Sequence, residues 1–382
     1  MRAEWASRAA GSNRSCVRVA VEQRAFPRGP NPSSPRPEPR SRGDWTARGH
    51  GSNRLAVQLR RIAGSDSAKL QRVPSLVAIG NFDGVHRGHA AVLAAARSEA
   101  LQGGLRPRVL TFDPHPAQVL GRGVMPVLTT SGRKVSLLLR ASPELEVIVE
   151  PFTLELSRSS PEDFARDVLA ERLQARVVIV GENFRFGHDR RGDLALLRSL
   201  GRSLGFDAHA LPMVSDSEGL FSSTRVRDAL KRGDIDAAER CLGRPHSLSG
   251  RVVHGDGKGR SIGVPTANLD AVPEALPPYG VYACLVDQEE SSGEGRALAR
   301  GVLNIGVRPT REAGFSVEVH LLDFEGDLYG VGLRVHLVQR IRDEQRFSSL
   351  EALTRQIHGD VARARELLAD RSIDPHGRGA WV

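Results

Sequence analysis

The stretch Ser75-Leu76-Val77-Ala78-Ile79-Gly80-Asn81-Phe82-Asp83-Gly84-Val85-His86-Arg87-Gly88-His89-Ala90-Ala91-Val92-Leu93-Ala94-Ala95-Ala96-Arg97 decides how the first half of this chain folds. Its opening apolar run reads as a buried strand, and its alanine-rich end reads as a helix. The turn between them therefore stands at the carboxyl end of a strand in an open α/β sheet, where phosphate ligands bind. His86 and His89 are three apart and share one face of the helix's first turn. Gly88 between them has no side chain and lets a ligand approach the backbone. A lone histidine is most often a surface residue. Two in this spacing, after a strand and Gly80, favour an anion site, because the helix macrodipole and free amides already attract negative charge there. A metal reading is weaker, since no further Cys/His cluster is near.

The segments that follow repeat the same grammar. Residues 107–112 read as a second strand, followed by Asp113-Pro114-His115-Pro116, a turn that cannot be helical. Residues 145–149 form a third apolar run. Residues 161–173 read as a helix with proline near its start, and 176–180 as another buried strand. Strands alternating with helices at this spacing argue a parallel, doubly wound sheet. Ser222 caps a helix that Gly233 closes. Asp234 caps a second helix ending at Gly243, and Pro245 marks a domain boundary. Beyond it, 250–253, 280–286, 315–322 and 333–338 read as short strands split by Gly- and Pro-containing turns. That is the signature of a small barrel. An amphipathic helix over 348–368 closes this domain. Residues 287–295 are polar and read as a tolerated insertion.

A length of 382 residues allows two domains with their own cores. The formal net charge is +9. Residues 1–54 contain 11 Arg, no Lys and 4 acids, a net of +7, whereas the rest carries +2. The basic signal therefore belongs to an Arg/Pro/Ser/Gly-rich extension without periodicity, read as disordered or as translated upstream DNA. A nucleic-acid-binding arm would need interleaved aromatics, which are lacking. Trp5, Trp45 and Trp381 all fall in the tails and carry no functional weight. Cys16, Cys241 and Cys284 show neither metal-ligand spacing nor a disulfide framework. No apolar run reaches the roughly 18 residues of a membrane helix, and no secretory signal is evident. The expected compartment is a reducing cytoplasm, with no nucleic-acid or membrane partner and with self-association left open.

Four further constellations carry chemistry. Gly181-Glu182-Asn183-Phe184-Arg185-Phe186-Gly187 follows a strand, so Asn183 could hydrogen-bond a ring edge and Arg185 a phosphate; alone, it would read as a charged solvent loop. Ser222-Ser223-Thr224-Arg225-Val226-Arg227 joins capping hydroxyls to two arginines, a second anion site that is compatible with ordinary capping. Gly255-Asp256-Gly257-Lys258-Gly259-Arg260-Ser261-Ile262-Gly263-Val264-Pro265-Thr266-Ala267-Asn268 resembles a phosphate-covering loop but is not a P-loop. Thr266 and Asn268, two apart in an extended segment, point the same way, and their oxygens suit Mg2+. Glu318 interrupts the strand Val317-Glu318-Val319-His320-Leu321 on the face opposite Val317, Val319 and Leu321, and phosphoryl transfer to an alcohol wants a carboxylate near the hydroxyl. A solvent-facing barrel glutamate is the plain alternative.

Together these segments resemble the bacterial bifunctional riboflavin kinase/FAD synthetase family, in the family's order over roughly residues 75–370. Thr111-Phe112-Asp113-Pro114-His115-Pro116, Leu242-Gly243-Arg244-Pro245, Asn304-Ile305-Gly306-Val307-Arg308-Pro309-Thr310 and Asp327-Leu328-Tyr329-Gly330 add to the likeness. The resemblance implies a Rossmann-like α/β nucleotidyltransferase domain followed by a small antiparallel β-barrel with a C-terminal helix. The implied division is an extension over 1–70, an FMN adenylyltransferase domain over 71–245, a riboflavin kinase barrel over 246–370, and a flexible tail over 371–382. The barrel would convert riboflavin and ATP to FMN, and the α/β domain would join FMN and ATP to give FAD and pyrophosphate.

By position, the resemblance implies that His86 and His89 stabilise adenylyl transfer. Gly80, Phe82, Asp83, Gly88, Asp113, Asn183, Arg185, Ser223, Thr224 and Arg225 would surround ATP or FMN. In the kinase, Glu318 would be the general base and Thr266 and Asn268 would ligate Mg2+. Gly255, Lys258, Gly263 and Arg308 would line its ATP and riboflavin sites. Val264 and Arg311 stand where aromatic residues are common in the family, which touches the wall of the kinase site rather than its chemistry. Two competing readings are one active and one degenerate module, and a nucleic-acid binder built on a small barrel.

Overall fold

The computed structural model describes residues 61–371, apart from 122–124, 143, 256, 291–292 and 308–313. The N-terminal half is built on six parallel strands in the order β1-β4-β3-β2-β5-β6. These are β1 Arg61–Ala63, β2 Ser75–Ile79, β3 Arg106–Asp113, β4 Glu146–Pro151, β5 Ala175–Gly181 and β6 Asp207–Leu211. Every residue of β2 is buried. Leu76 and Ala78 enter one apolar cluster and Val77 and Ile79 the other, so both faces of the strand are covered, as a continuous apolar run in a parallel sheet requires. Helices α1 Arg87–Gln102, α2 Ser131–Ala141 and α3 Leu194–Leu204 supply much of that cover. Strand β2 has β3 on one side and β5 on the other. The chain reverses direction of sheet growth between β2 and β5, which opens a crevice at their carboxyl ends.

Two capped helices follow, α4 Ser223–Arg232 and α5 Ile235–Leu242, closed by Gly233 and Gly243 in left-handed conformations. The second half is a closed antiparallel barrel in the order β10-β13-β12-β11-β14-β9. Its strands are β9 Ser247–Val253, β10 Ala267–Asp270, β11 Gly280–Glu289, β12 Gly295–Val307, β13 Phe315–Leu321 and β14 Gly332–Asp343. A two-residue ribbon, β7 Ser215–Asp216 with β8 Gly219–Leu220, precedes α4. Helix α6 Leu350–Leu367 covers the barrel's outer face, where Ala364 meets Ala283, Leu285 and Val338. Arg342 grips Asp360 of α6 with Nε at 3.0 and 2.9 Å from the two carboxylate oxygens. Leu128, Val226, Leu230 and Leu242 share one apolar cluster with the barrel residues Leu248, Leu269, Leu303 and Val319.

The structure corrects several sequence expectations. Residues 61–70 do not belong to a disordered extension: β1 pairs with β4, and Ile62 and Leu70 are buried. Three residues are too short a run for periodicity to register. Pro116 does not end the turn but opens a one-turn helix capped by His115, since a first helical position needs no N–H. The helix expected over 161–173 is wound as a π-helix at Phe164–Arg172. The spacing of its buried Phe164, Ala165, Val168 and Leu169 fits either winding.

The described residues of 287–295 are not a surface insertion. Asp287 is buried against His336 at 2.8 Å, and Glu294 accepts from Ser136 of α2 at 2.8 Å and pairs with Arg140. Their polarity is spent on buried pairing. Strand β12, which begins at Gly295, gave no sequence signal because its glycines, arginines and alanines break the alternation. Arg371 is docked on Glu239 at 3.4 Å. The remaining tail, the three tryptophans, Cys16, Arg308 and Arg311 lie outside the described residues.

Candidate active sites

In the α/β half, the turn after β2 is a strained structure. Phe82, Gly84 and Val85 adopt φ of 47°, 85° and 40°. For a β-branched residue such as Val85 this region is disfavoured, at a cost of order 1–3 kcal/mol. The turn is clamped to keep that shape. Asp83 accepts from the amides of Leu128 and Thr129 at 2.9 and 3.3 Å and pairs with Arg227 at 2.5 Å. Arg244 donates to the carbonyls of Gly84 at 2.5 Å and Val85 at 3.0 Å. Buried Lys134 donates to the carbonyls of Asn81 and Phe112 at 3.3 and 2.8 Å.

His86 caps α1 by accepting the His89 amide on Nδ1 at 3.3 Å. That leaves its proton on Nε2. The two imidazoles stack with centroids 3.6 Å apart, and Phe82 stands edge-on to His89 at 5.1 Å. Burial, with a smaller push from Arg244, lowers the His86 pKa to about 4. Burial, His86, Arg244 and Lys134 hold His89 well below the ordinary value. Both rings are therefore neutral near pH 7. His89 Nδ1 is buried without a hydrogen-bond partner among the described residues. Two neutral donors at a helix N-terminus are suited to an incoming polyanion.

A cleft of about 490 Å³ opens beside this turn, lined by Gly80, Asn81, His115, Asn183, Arg185 and a set of phenylalanines. Phe184 and Phe186 stack at 5.4 Å, and Phe112 meets Phe152 edge-on at 5.8 Å. Its apolar walls with a few polar edges suit a flat aromatic ligand with a charged tail. Phe112, Phe152 and His115 were not singled out as site residues. Phe112 and His115 lie at the end of β3 and Phe152 just after β4, and the shared crevice brings the two strand ends together.

Several of the other expected ligand-binding residues make bonds within the protein, and others are exposed. Asp83 anchors the turn, Phe82 is buried beneath it, and Ser223 Oγ donates to the Asp83 carbonyl at 2.8 Å. Arg225 is held by Asp216 at 2.7 and 3.0 Å and by Glu218 at 2.9 Å. Thr224 and Asn183 are exposed. Arg185 is exposed but pairs with Asp193 at 3.0 Å. Asp113 is exposed at the end of β3 and raises the Lys134 pKa, against the larger lowering by burial. Gly88 serves a different purpose from the one read in the sequence. A Cβ there would lie 3.1 Å from the His86 ring and 3.2 Å from the Phe221 carbonyl. The space it leaves is filled by the protein itself.

In the barrel, Glu318 lies opposite Asn268 on one neighbouring strand and Asn304 on the other. All three are half-buried on the barrel's outer face, since Val317, Val319, Leu269 and Leu303 point into the core. Asn304 was quoted in a motif but given no role; only strand register places it beside Glu318. Thr266, exposed, lies two residues before Asn268. The His320 ring contacts the Pro265 carbonyl at 2.7 Å, which ties that segment to β13. Gly255 packs against the Asn268 amide so closely that a Cβ would fall 2.6 Å from its Cγ. His254 stacks on Tyr329 at 3.9 Å and holds the same loop. Gly263 turns with φ of 77°. Arg308 and the side chain of Lys258 lie outside the described residues.

Two family models match the chain, FAD synthetase over residues 69–225 and riboflavin kinase over 242–368. The chain is 42% identical over 294 residues to the bifunctional riboflavin kinase/FMN adenylyltransferase of Pseudomonas fluorescens, covering 76% of this chain and 92% of that one. The protein of the same description from Escherichia coli K12 is 40% identical over 294 residues with the same coverage. That of Bacillus subtilis is 34% identical over 307 residues, covering 78% and 93%. Among solved structures, the macrolide-efflux protein from Streptococcus pneumoniae is similar at a TM-score of 0.69 and 27% identity, over 80% of this chain and 99% of that one.

Proposed function

The chain belongs to the bifunctional riboflavin kinase/FMN adenylyltransferase family and carries both of its modules, and from that premise we propose how its residues divide the two reactions. FMN binds in the phenylalanine-walled cleft, with Asn183 at the edge of its ring system. The phosphates of ATP lie over the start of α1. There, His86 Nε2–H and the His89 ring stabilise charge on the α-phosphate and the departing pyrophosphate. The stacked histidine pair at the start of α1 is the observation that carries this reading, because imidazole donors at a helix N-terminus favour a polyanion there.

In the barrel, Glu318 accepts the proton of the riboflavin hydroxyl as it attacks the γ-phosphate of ATP. Asn268, with Thr266, offers hard oxygen donors that fit Mg2+. Bound with ATP, that ion would neutralise charge on the transferring phosphoryl group. Asn304 flanks Glu318 and steadies the hydroxyl. The module boundary near residue 245 is part of this proposal, as is a cytoplasmic location without nucleic-acid or membrane partners. Buried, free Cys241 and Cys284 support that location. Among the described residues no helix is long and apolar enough to cross a membrane.

One assay tests the division. The full chain is incubated with riboflavin, ATP and Mg2+, and FMN and FAD are followed separately. The double variant His86→Ala/His89→Ala should accumulate FMN and lose FAD by on the order of 100-fold or more. Glu318→Gln should lose FMN formation by a similar factor, on the order of 100-fold, yet still convert added FMN to FAD. Near-normal kinase turnover in Glu318→Gln would refute its assignment as the base.

A further inference from the structure

The strained turn that carries His86 is held from a part of the chain outside the α/β sheet. Arg244 lies between the end of α5 at Leu242 and the start of β9 at Ser247. One Nη donates to the Gly84 carbonyl at 2.5 Å, and the other to the carbonyls of Val85 at 3.0 Å and Leu242 at 3.3 Å. These are the two residues immediately before the N-cap histidine. Both take left-handed φ, which turns their carbonyls away from any regular ladder. Such carbonyls need a donor, and a planar guanidinium can meet two adjacent ones at once, where an ammonium meets one. On the other side of the turn, Asp83 is fixed by the amides of Leu128 and Thr129. Val127 beside them bridges to the barrel, with its amide on the Pro273 carbonyl at 3.1 Å and its carbonyl on the Ala275 amide at 2.8 Å.

We propose that Arg244 is a positioning residue for adenylyl transfer, holding the Gly84–Val85 backbone so that His86 and His89 keep their stacked geometry. It touches neither nucleotide nor flavin in this role and acts through the turn. The inference rests on the assignment of His86 and His89 to the adenylylation site. It adds that their placement depends on a residue at the root of the barrel, so the two modules share a brace. The Arg244 guanidinium also lowers the pKa of both imidazoles, behind the larger effect of burial.

The test compares Arg244→Gln and Arg244→Lys in the full chain, with riboflavin phosphorylation in the same preparation as an internal control. For Arg244→Gln, kcat for FMN adenylylation should fall on the order of 10- to 100-fold, with KM for ATP and FMN within about threefold. Kinase turnover should stay within about twofold, because among the described residues Arg244 donates to the carbonyls of Gly84, Val85 and Leu242, none of them assigned to the kinase site. Arg244→Lys should recover part of the loss and remain roughly three- to tenfold below wild type, as one carbonyl is still bonded. Adenylylation within about twofold of wild type in Arg244→Gln overturns the proposal. So does a rise in KM alone, or a parallel fall of both activities in both variants. If the glutamine variant does not fold, the lysine variant decides by the same criteria. Retained FAD synthesis in His86→Ala/His89→Ala would instead refute the histidine assignment itself, which keeps the two failures apart.

Discussion

Replacing Gly255 by alanine should silence the kinase while leaving the fold and FAD synthesis from FMN intact. An added Cβ would lie 2.6 Å from Asn268 Cγ, 2.8 Å from its Oδ1, and closer still to Nδ2. Carbon contacts settle near 3.5 Å, so the amide must retreat by about 1 Å. The obstacle is the end of a side chain rather than backbone, so relief through an altered rotamer costs only about 0.5–1.5 kcal/mol. Such a cost lowers the thermal midpoint by roughly 1–2 °C for a chain of this size. The functional cost is larger, because a ligand displaced by 1 Å loses up to about 100-fold in rate. The assay follows FMN from riboflavin and FAD from added FMN in parallel, with a melting curve on each sample. Kinase turnover within about threefold of wild type, at a normal midpoint, would refute the assignment of Asn268 to the ATP–Mg2+ site.

Gly88→Ala places a methyl 3.1 Å from the His86 ring and 3.2 Å from the Phe221 carbonyl. The ring must give by a few tenths of an ångström, so adenylylation should drop about three- to tenfold with the kinase unchanged; steady-state rates of both reactions check this. Glu274 is buried with a pKa raised by desolvation to about 7. The folded chain therefore holds that proton more tightly than the unfolded one. Its contribution to stability is complete below the ordinary carboxyl pKa and is lost as pH rises through about 7. Glu274→Gln, which has no proton to lose, should match wild type near pH 4 and be more stable by up to roughly 3 kcal/mol at pH 8. Denaturation midpoints across that range decide, and a gap that does not change with pH would sink the argument.

Strands β2 to β5 and helices α1, α4 and α5 were legible in the sequence because their signals are local, whereas β1, β6, α2 and α3 were not read. An unbroken apolar run such as 75–79 can only be buried on both faces, and the caps Ser222 and Asp234 with the closing Gly233 and Gly243 mark their helices within a few residues. The barrel was legible only in part. Strand β12 lacks clean alternation, since Arg296, Arg300 and several glycines interrupt it. The polarity of 287–295 pointed to solvent, yet Asp287 and Glu294 meet His336, Ser136 and Arg140 from distant positions. Composition records that a residue is charged and says nothing of whether its partner is buried with it.

The sequence by itself determined the order of the two modules, the strand-to-helix turn with His86 and His89, and the placing of Glu318 on the opposite face from Val317 and Val319. Each follows from periodicity, caps and spacing that act within one segment. The tertiary structure alone decided which residues meet across segments. It set Asn304 and Asn268 on either side of Glu318 through strand register, and it gathered Phe112, Phe152, Phe184 and Phe186 into one cleft. It also joined Asp83 to the amide of Leu128 and Arg225 to the carboxylate of Asp216. And it put Arg244 against the carbonyls of Gly84 and Val85, 160 and 159 residues away. Contacts at that separation depend on how whole elements pack, which no local pattern encodes.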